Sequence, residues 1–438
     1  MNKQKLSLRA RRLIALACAP LMLLSASTTA APNAKQLAES VNPQVVEWRR
    51  HFHQYPELSN QEFKTAKVIA KALKEMGMEV TENIAVTGVT GFLKGGKPGP
   101  TIALRADMDA LPVKEQTGLP FASKETAIYR DKKVDVMHAC GHDAHMSILL
   151  GVAKVMSDIK SELRGNVLFV FQPAEEGLPA GQVGGAELML KEGIFERYKP
   201  EAVFGLHAWS AFGAGKIGYR SGPAMASADQ FEIIIKGKQT HGSRPWGGVD
   251  PIVVAAQTVM AVQTIASRQV NVTKAPSIIS FGVIEGGIRN NIIPDSVKLI
   301  GTIRNFDMGI RAQIHEKLKH TAKHVAQAAG AKAEVSINLG YPVTVNNPEL
   351  VTASLPSLEK VVGKENIIES DLVTGAEDFS FYAQKVPGFF FYLGASPKGL
   401  DAKSAPSNHS PFFTVDEDAL PIGVEAMLQA SLDYMARN

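Results

Sequence analysis

Four stretches of this chain carry side chains that bind metals and move protons. His138-Ala-Cys-Gly-His-Asp-Ala-His145 is followed by Gln172-Pro-Ala-Glu-Glu-Gly177, by Gly205-Leu-His207 and by Asn408-His409-Ser-Pro411. Together they supply a thiolate, imidazoles and paired carboxylates, the donor set of a hydrolytic metal centre. Cys140 and His142 lie two apart on a Gly-containing turn that lets both side chains converge before a helix over 144–158 begins. That spacing alone is weak, because a single His near a cysteine is more often structural than ligating. It gains weight from Glu176, His207 and His409, each expected at the end of a strand or in a loop.

Glu175 and Glu176 need an irregular backbone to act together, since successive residues of a regular strand face opposite sides. Pro173 and Gly177 flank the pair and predict such a loop. One carboxylate can then bind metal while the other takes a proton from the attacking water and returns it to a leaving amine. A solvated pair on a surface loop is the ordinary fate of adjacent glutamates, and only the neighbouring motifs outweigh it.

The elements that must position these groups alternate between helix and strand. Helix-spaced apolar residues predict helices over 34–52 and 61–76, the second capped by Ser59 or Asn60. Near-continuous apolar runs over 101–104, 167–171, 202–204 and 389–392 predict strands buried on both faces. Asp107 and Asp109, Glu175 and Glu176, and His207 each follow one of those strands. In an open α/β sheet, ligands bind beyond the carboxyl ends of the strands. The fold class is therefore α/β, a mixed sheet with helices, interrupted by an α+β insert over 222–335. In that insert 230–236, 278–283 and 296–304 read as strands, and 250–268 and 308–329 as helices. The catalytic domain is expected to be discontinuous, over 34–221 and 336–438, with a last helix over 416–435.

Composition sets limits. At 438 residues, 45% hydrophobic and 21% charged, the chain is a globular protein large enough for two cores. Residues 1–30 read as a secretory signal peptide: Lys3, Lys5, Arg9, Arg11 and Arg12 precede an apolar run over 13–24 and small residues near Ala30 and Ala31. Arg11-Arg12 leaves twin-arginine export open, and Ala15-Leu-Ala-Cys18 is a poor lipobox. The expected location is exported, periplasmic or secreted. Removing the leader takes the formal charge from +4 to about −1, so the basic whole-chain balance is no argument for nucleic acid and none for a membrane. Cys18 leaves with the leader. Cys140 is then alone, and its neighbours favour a metal-held thiolate over an inert buried thiol.

Seven ordered motifs resemble one family. Arg50-His-Phe-His-Gln-Tyr-Pro-Glu-Leu-Ser59, Leu104-Arg-Ala-Asp-Met-Asp-Ala-Leu-Pro112, Cys140-Gly-His-Asp143, Pro173-Ala-Glu-Glu-Gly177, Gly205-Leu-His207, Gly375-Ala-Glu-Asp-Phe379 and Asn408-His-Ser-Pro411 are similar to those of the amidohydrolase branch of peptidase family M-twenty. That branch includes hippurate hydrolase, N-acetyl-diaminopimelate deacetylase and the hydrolases of indole-acetyl amino acids. The resemblance implies a zinc-peptidase-like catalytic domain with an inserted dimerisation domain, and a homodimer or higher homo-oligomer. It implies two divalent metal ions per subunit, bridged by Cys140 and completed by His142, Glu176, His207 and His409. Zinc suits thiolate and imidazole; manganese, cobalt or nickel also suit carboxylate and nitrogen. Glu175 would be general base and then acid, and Asp109 would orient a ligand or tune the thiolate.

In the insert, the resemblance assigns His241 to the oxyanion in a partner subunit's site and Asn291 and Arg304 to the substrate carboxylate. A turn-forming Asn before Pro and a surface Arg on a strand are the plainer readings of the last two. Pro245-Trp246 stands where many relatives carry Pro-His, a departure at the substrate rim. His51 and His53 are assigned to packing or outer contacts, and His138 and His145 exceed the ligands required. The implied activity is hydrolysis of the amide bond of small-molecule N-acyl amino acids. A dipeptidase or carboxypeptidase of the same family is the second reading; the Cys-Gly-His-Asp form disfavours it, since the peptidase branches usually bridge with aspartate. An exported solute-binding protein is the reading from another class.

Overall fold

A computed structural model describes residues 33–178, 182–401 and 404–438. The leader expected over 1–30 lies outside the described residues.

The first helix, α1 (Ala34–Gln54), begins with a reciprocal cap: the Asn33 side chain accepts from the Gln36 amide and the Gln36 side chain from the Asn33 amide. Helix α2 (Phe63–Glu75) is capped by neither Ser59 nor Asn60, contrary to the cap expected from its sequence. Glu57 does that work, its Oε2 accepting from the amides of Lys64 and Thr65 at 2.9 Å each. Ser59 is drawn instead to Asp109, to which it donates at 2.6 Å.

Strands β1 (Glu79–Ile84), β2 (Gly88–Lys94) and β3 (Lys97–Asp107) lead to helix α3 (His142–Asp158), which starts two residues earlier than its periodicity predicts. Strands β4 (Arg164–Gln172), β5 (Ala202–Gly213) and β6 (Ile217–Tyr219) follow. The chain then builds a second sheet from β7 (Ser227–Lys236), β8 (Ser277–Glu285), β9 (Ser296–Asn305) and β10 (Lys332–Leu339), with helices α4 (Pro251–Thr264) and α5 (Met308–Ala328). It returns through α6 (Pro348–Val362), β11 (Ile367–Glu369), β12 (Gly388–Ser396) and α7 (Ala419–Arg437).

The large sheet has the order β1-β2-β4-β3-β5-β12-β6-β11. Its centre is parallel, β4 with β3, β3 with β5 and β5 with β12, whereas β1 and β2 add antiparallel strands at one edge. This is why the central strands read as unbroken apolar runs: β12 is buried at every position, packed by helices on both faces. Helices α1, α3 and α7 share one core with this sheet, and α3 is nearly enclosed, with Leu149, Val152 and Met156 buried.

The small sheet is antiparallel, ordered β8-β9-β7-β10. Phe231, Ile233 and Ile235 of β7 point to a separate core with Ile310, Ile314 and Leu318 of α5. Strand β10 is absent from the sequence-based expectation and runs past residue 335 to Leu339, pairing along β7. It alternates half-buried Ala333, Val335 and Ile337 with exposed polar residues, a weak period-two signal. Gly222–Met225 and Thr344–Asn346 pair where the chain leaves and re-enters the large domain.

Candidate metal centre

Gly141 sets the first pair of donors. It caps α3 with φ +95°, and a Cβ there would meet the Ala208 Cβ at 2.9 Å, so the turn admits no side chain. Cys140 and His142 are thereby held on either side of it, both buried. Across the sheet, His207 on β5 brings Nε2 to 3.4 Å from Cys140 Sγ. His207 Nδ1 lies 2.9 Å from the Ala208 carbonyl, which can only accept. The hydrogen therefore sits on Nδ1 and the Nε2 lone pair faces the thiol. Burial and the neighbouring His145 hold the imidazole well below its usual pKa, so it stays neutral, as a ligand must.

The second pair comes from two strained loops. Ala174 takes φ +56°, and its amide is tied to Glu62 Oε1 at 3.0 Å. The next two amides, of Glu175 and Glu176, donate to the two oxygens of Asp109 at 3.1 and 3.0 Å. Asp109 thus holds the glutamate loop and reaches His142 Nδ1 at 3.4 Å; it faces the imidazole and not the thiol. His409, at φ +71°, is placed by Asn408. The Asn408 amide group donates to the carbonyls of Cys140 and Ala208 at 3.1 and 2.9 Å, and the His409 amide donates to Ala139 at 2.7 Å. His409 Nε2 stands 3.3 Å from Glu176 Oε1.

All five expected ligands converge. Cys140, His142 and His207 form one group of mutually close donor atoms, and Cys140, Glu176 and His409 form another. Cys140 is the member common to both, as a bridging thiolate would be. Among the described residues, both ring nitrogens of His142 and Oε1 of Glu176 are buried without a hydrogen-bond partner. Orphaned donors of this kind cost free energy unless something binds them. Burial pulls the His142 pKa down, but Asp107, Asp109 and Glu176 outweigh it and lift it to about 10. Burial, and then the carboxylates of Glu176, Glu175 and Asp107, push the Cys140 thiol up. This concentration of negative charge demands a cation, and a divalent ion inverts that balance, ionising the thiol. The donor set fits metal.

Asp107, His142 and His145 also lie within reach of one another, but there Asp107 and His145 are already spent. Asp107 accepts from Arg105 at 2.8 Å and from His145 Nδ1 at 2.6 Å, while His145 Nε2 accepts from the Ala208 amide at 2.7 Å. His53 is similarly occupied between Asp143 at 2.8 Å and Glu115 at 3.0 Å, with Arg49 on the same Asp143 oxygen. His51 packs edge-on to Phe52. His138 is buried without a hydrogen-bond partner among the described residues, and burial lowers it to about 3, which keeps it neutral.

Glu175 is buried beside Glu377 and Asp378. Burial, and then repulsion from Glu377, Glu176 and Asp378, raises its pKa well above the usual carboxylate range, which makes it a stronger base than an exposed glutamate. Arg105 ties the cluster down, reaching Asp378 and Glu377 at 2.8 and 2.9 Å. Arg105, Glu377, Asp378, Glu62 and Asn408 carry no role in the sequence reading. Leu104-Arg105 and Glu377-Asp378 lie inside recognisable motifs, but their partnership joins residues 273 positions apart.

His241, Asn291 and Arg304 are not brought to this centre within the subunit. His241 is exposed, its Nδ1 accepting from the Ser243 amide at 3.0 Å, and its short strand pairs with Ile292. Asn291 is its neighbour, the Asn291 carbonyl accepting from Gly242 at 2.8 Å. Arg304 is half-buried on β9 with no ion pair or hydrogen bond among the described residues; Asp229, the nearest acid on the adjoining strand, is taken by Arg311 and His315.

A two-domain α/β fold with clustered thiol, imidazole and carboxylate donors at the strand ends defines a metallohydrolase. Residues 103–433 match the family described as Peptidase family M20/M25/M40, and the chain belongs to it. It is 40% identical to thermostable carboxypeptidase 1 of Saccharolobus solfataricus over 87% of this chain and 93% of that one. It is 38% identical to the N-acetyl-L-cysteine deacetylase of Bacillus subtilis, over 87% of this chain and 86% of the relative. The YXEP protein of Bacillus subtilis, a dinuclear metal binding peptidase of the same family, superposes with a TM-score of 0.75 at 33% identity, covering 91% of this chain and 99% of that one. The protein is a metal-dependent amidohydrolase.

Proposed function

We propose that this chain hydrolyses the amide bond of N-acyl amino acids, hippurate-like or N-acetylated, in an exported compartment and as a homodimer. The observation that carries this reading is the buried Glu175, its pKa raised, one residue from Glu176, itself grouped with Cys140 and His409. Two divalent ions on Cys140, His142, Glu176, His207 and His409 would supply polarisation of the acyl carbonyl and a more acidic attacking water; zinc suits this set best. Glu175 takes the proton of that water and delivers it to the departing amine. Arg304, half-buried with an unspent guanidinium, and Asn291 receive the substrate carboxylate. His241 of a second copy donates to the oxyanion.

Support for the dimer is the exposed apolar surface of the insert. Edge strand β8 presents Ile278, Val283 and Ile284, and the neighbouring α4 presents Val253 and Met260. An edge of this kind recruits a partner. The basic and apolar residues over 1–30 support export.

The decisive experiment is Glu175→Gln. Hydrolysis of hippurate and of acetyl amino acids is expected to fall by about 100-fold or more with bound metal unchanged; full activity would remove Glu175 from this role. A carboxypeptidase reading is kept open by the relative from Saccharolobus solfataricus. Comparing turnover of hippurate, acetyl amino acids and dipeptides by the same preparation separates the two.

A further inference from the structure

Helix α5 packs on the small sheet through Ile310, Ile314, Leu318, Ala322 and Ala326, a buried row along one face. On its exposed side stand His320 and His324, one turn apart. Their rings lie 3.9 Å apart between centroids with an interplanar angle of 31°. His324 Nδ1 is 2.8 Å from the His320 carbonyl, which can only accept. Nδ1 therefore carries a hydrogen, which leaves Nε2 of this exposed ring as the nitrogen available to a ligand. Neither ring has an acidic partner among the described residues.

We infer that His320 and His324 chelate one divalent transition-metal ion on the outer face of α5, separate from the candidate dinuclear centre. Two nitrogens bound to one ion at about 2.0–2.1 Å stand roughly 3 Å apart. Rings already stacked on adjacent turns reach that spacing by small side-chain rotations. Donor chemistry selects the ion. Imidazole nitrogen favours Cu²⁺, then Ni²⁺ and Zn²⁺, over Mg²⁺ and Ca²⁺, which need oxygen. The nearest carboxylate on this face, Glu316, is engaged by Lys319 at 3.2 Å. Lys319 and Lys323 add positive charge beside the pair, which further penalises ions that bind by charge alone. The remaining coordination positions open to water, so the site binds its ion reversibly and leaves the hydrolytic centre untouched.

The test is a nickel titration of the full-length protein, its hydrolytic centre already loaded with zinc, read by equilibrium dialysis and metal analysis. The wild type is expected to take up one Ni²⁺ per chain that the double variant H320A/H324A binds at least about 10-fold more weakly. Both positions are exposed, so the variant keeps its melting temperature and its hydrolysis rate. Copper provides a second readout, an electron paramagnetic resonance signal with coupling to two imidazole nitrogens that disappears in the variant. Nickel that exchanges into the hydrolytic centre is taken up equally by both proteins. Identical nickel isotherms for wild type and variant, or a copper signal unchanged by the substitutions, overturns the proposal whatever the outcome of the hydrolysis assays.

Discussion

The Tyr341 hydroxyl donates to the main-chain carbonyl of Glu175 at 2.6 Å. Tyr341 stands where the chain leaves β10 for the large domain, and Glu175 is the carboxylate proposed to transfer the proton. The inserted domain is therefore fastened to the backbone of that residue. Tyr341→Phe removes that bond alone. Metal content should be unchanged and stability lowered by about 1 kcal/mol. The expected signature is a fall of about 10-fold in kcat with little change in KM, because a small misplacement of a catalytic group is felt mainly in the transition state. Equal kcat values for the two proteins would show that the bond only joins the domains.

Removing metal should loosen the large domain. His142 and Glu176 carry buried atoms without a hydrogen-bond partner, and Asp107 and Asp109 add negative charge beside them. An ion at about 1,000 times its dissociation constant adds roughly 4 kcal/mol to stability. Dialysis against a chelator should lower the melting temperature, and added Zn²⁺ should restore it in a concentration-dependent way. Cys140→Ala should abolish most of that response, because it deletes the donor shared by both groups. A melting temperature indifferent to chelator would remove the dinuclear centre from the account.

Asp229 gives the small domain a pH dependence of known sign. Burial raises its pKa, but hydrogen bonds from Arg311 and His315 outweigh that and bring it down to about 2. A carboxylate lowered in the folded state adds stability that is present above its unfolded pKa and lost as pH falls toward the folded one. The contribution is about 2 kcal/mol at neutral pH and declines between about pH 4 and pH 2. Asp229→Asn should destabilise by about 3 kcal/mol at pH 6, since it strands a buried arginine. Urea unfolding at pH 6 and pH 3 should show the gap between the two proteins narrowing on acidification; a constant gap would contradict the assignment.

Substitution of Arg304 tests whether substrate recognition is separable from chemistry. With no acid of its own, its guanidinium is free for a carboxylate ligand. Arg304→Lys should raise KM for an N-acyl amino acid by about 10-fold or more while the melting temperature stays put, because an ammonium cannot reproduce the two-pronged contact. The same substrate amidated at its carboxyl group should be handled alike by both proteins. If KM for the free acid does not move, Arg304 is a strand residue and nothing more.

Residue type and order determined the α/β class and the buried strands, and pointed to five side chains whose donor atoms converge. Apolar runs and ligand chemistry are local properties that survive without coordinates. Cys140, Glu176, His207 and His409 were legible because each sits in a short motif at a strand end or loop. Only the tertiary structure decided which donors remain free. His145 carries the same imidazole as His142, yet its two nitrogens are consumed by Asp107 and the Ala208 amide, whereas those of His142 are left open. Hydrogen-bond satisfaction depends on partners distant in sequence, as does the clamp of Arg105 on Asp378, and no spacing rule encodes it. The same holds for β10, whose weak alternation becomes a strand only when β7 offers it a full register, and for Asp109, whose two oxygens fix the backbone of the glutamates that the motif merely names.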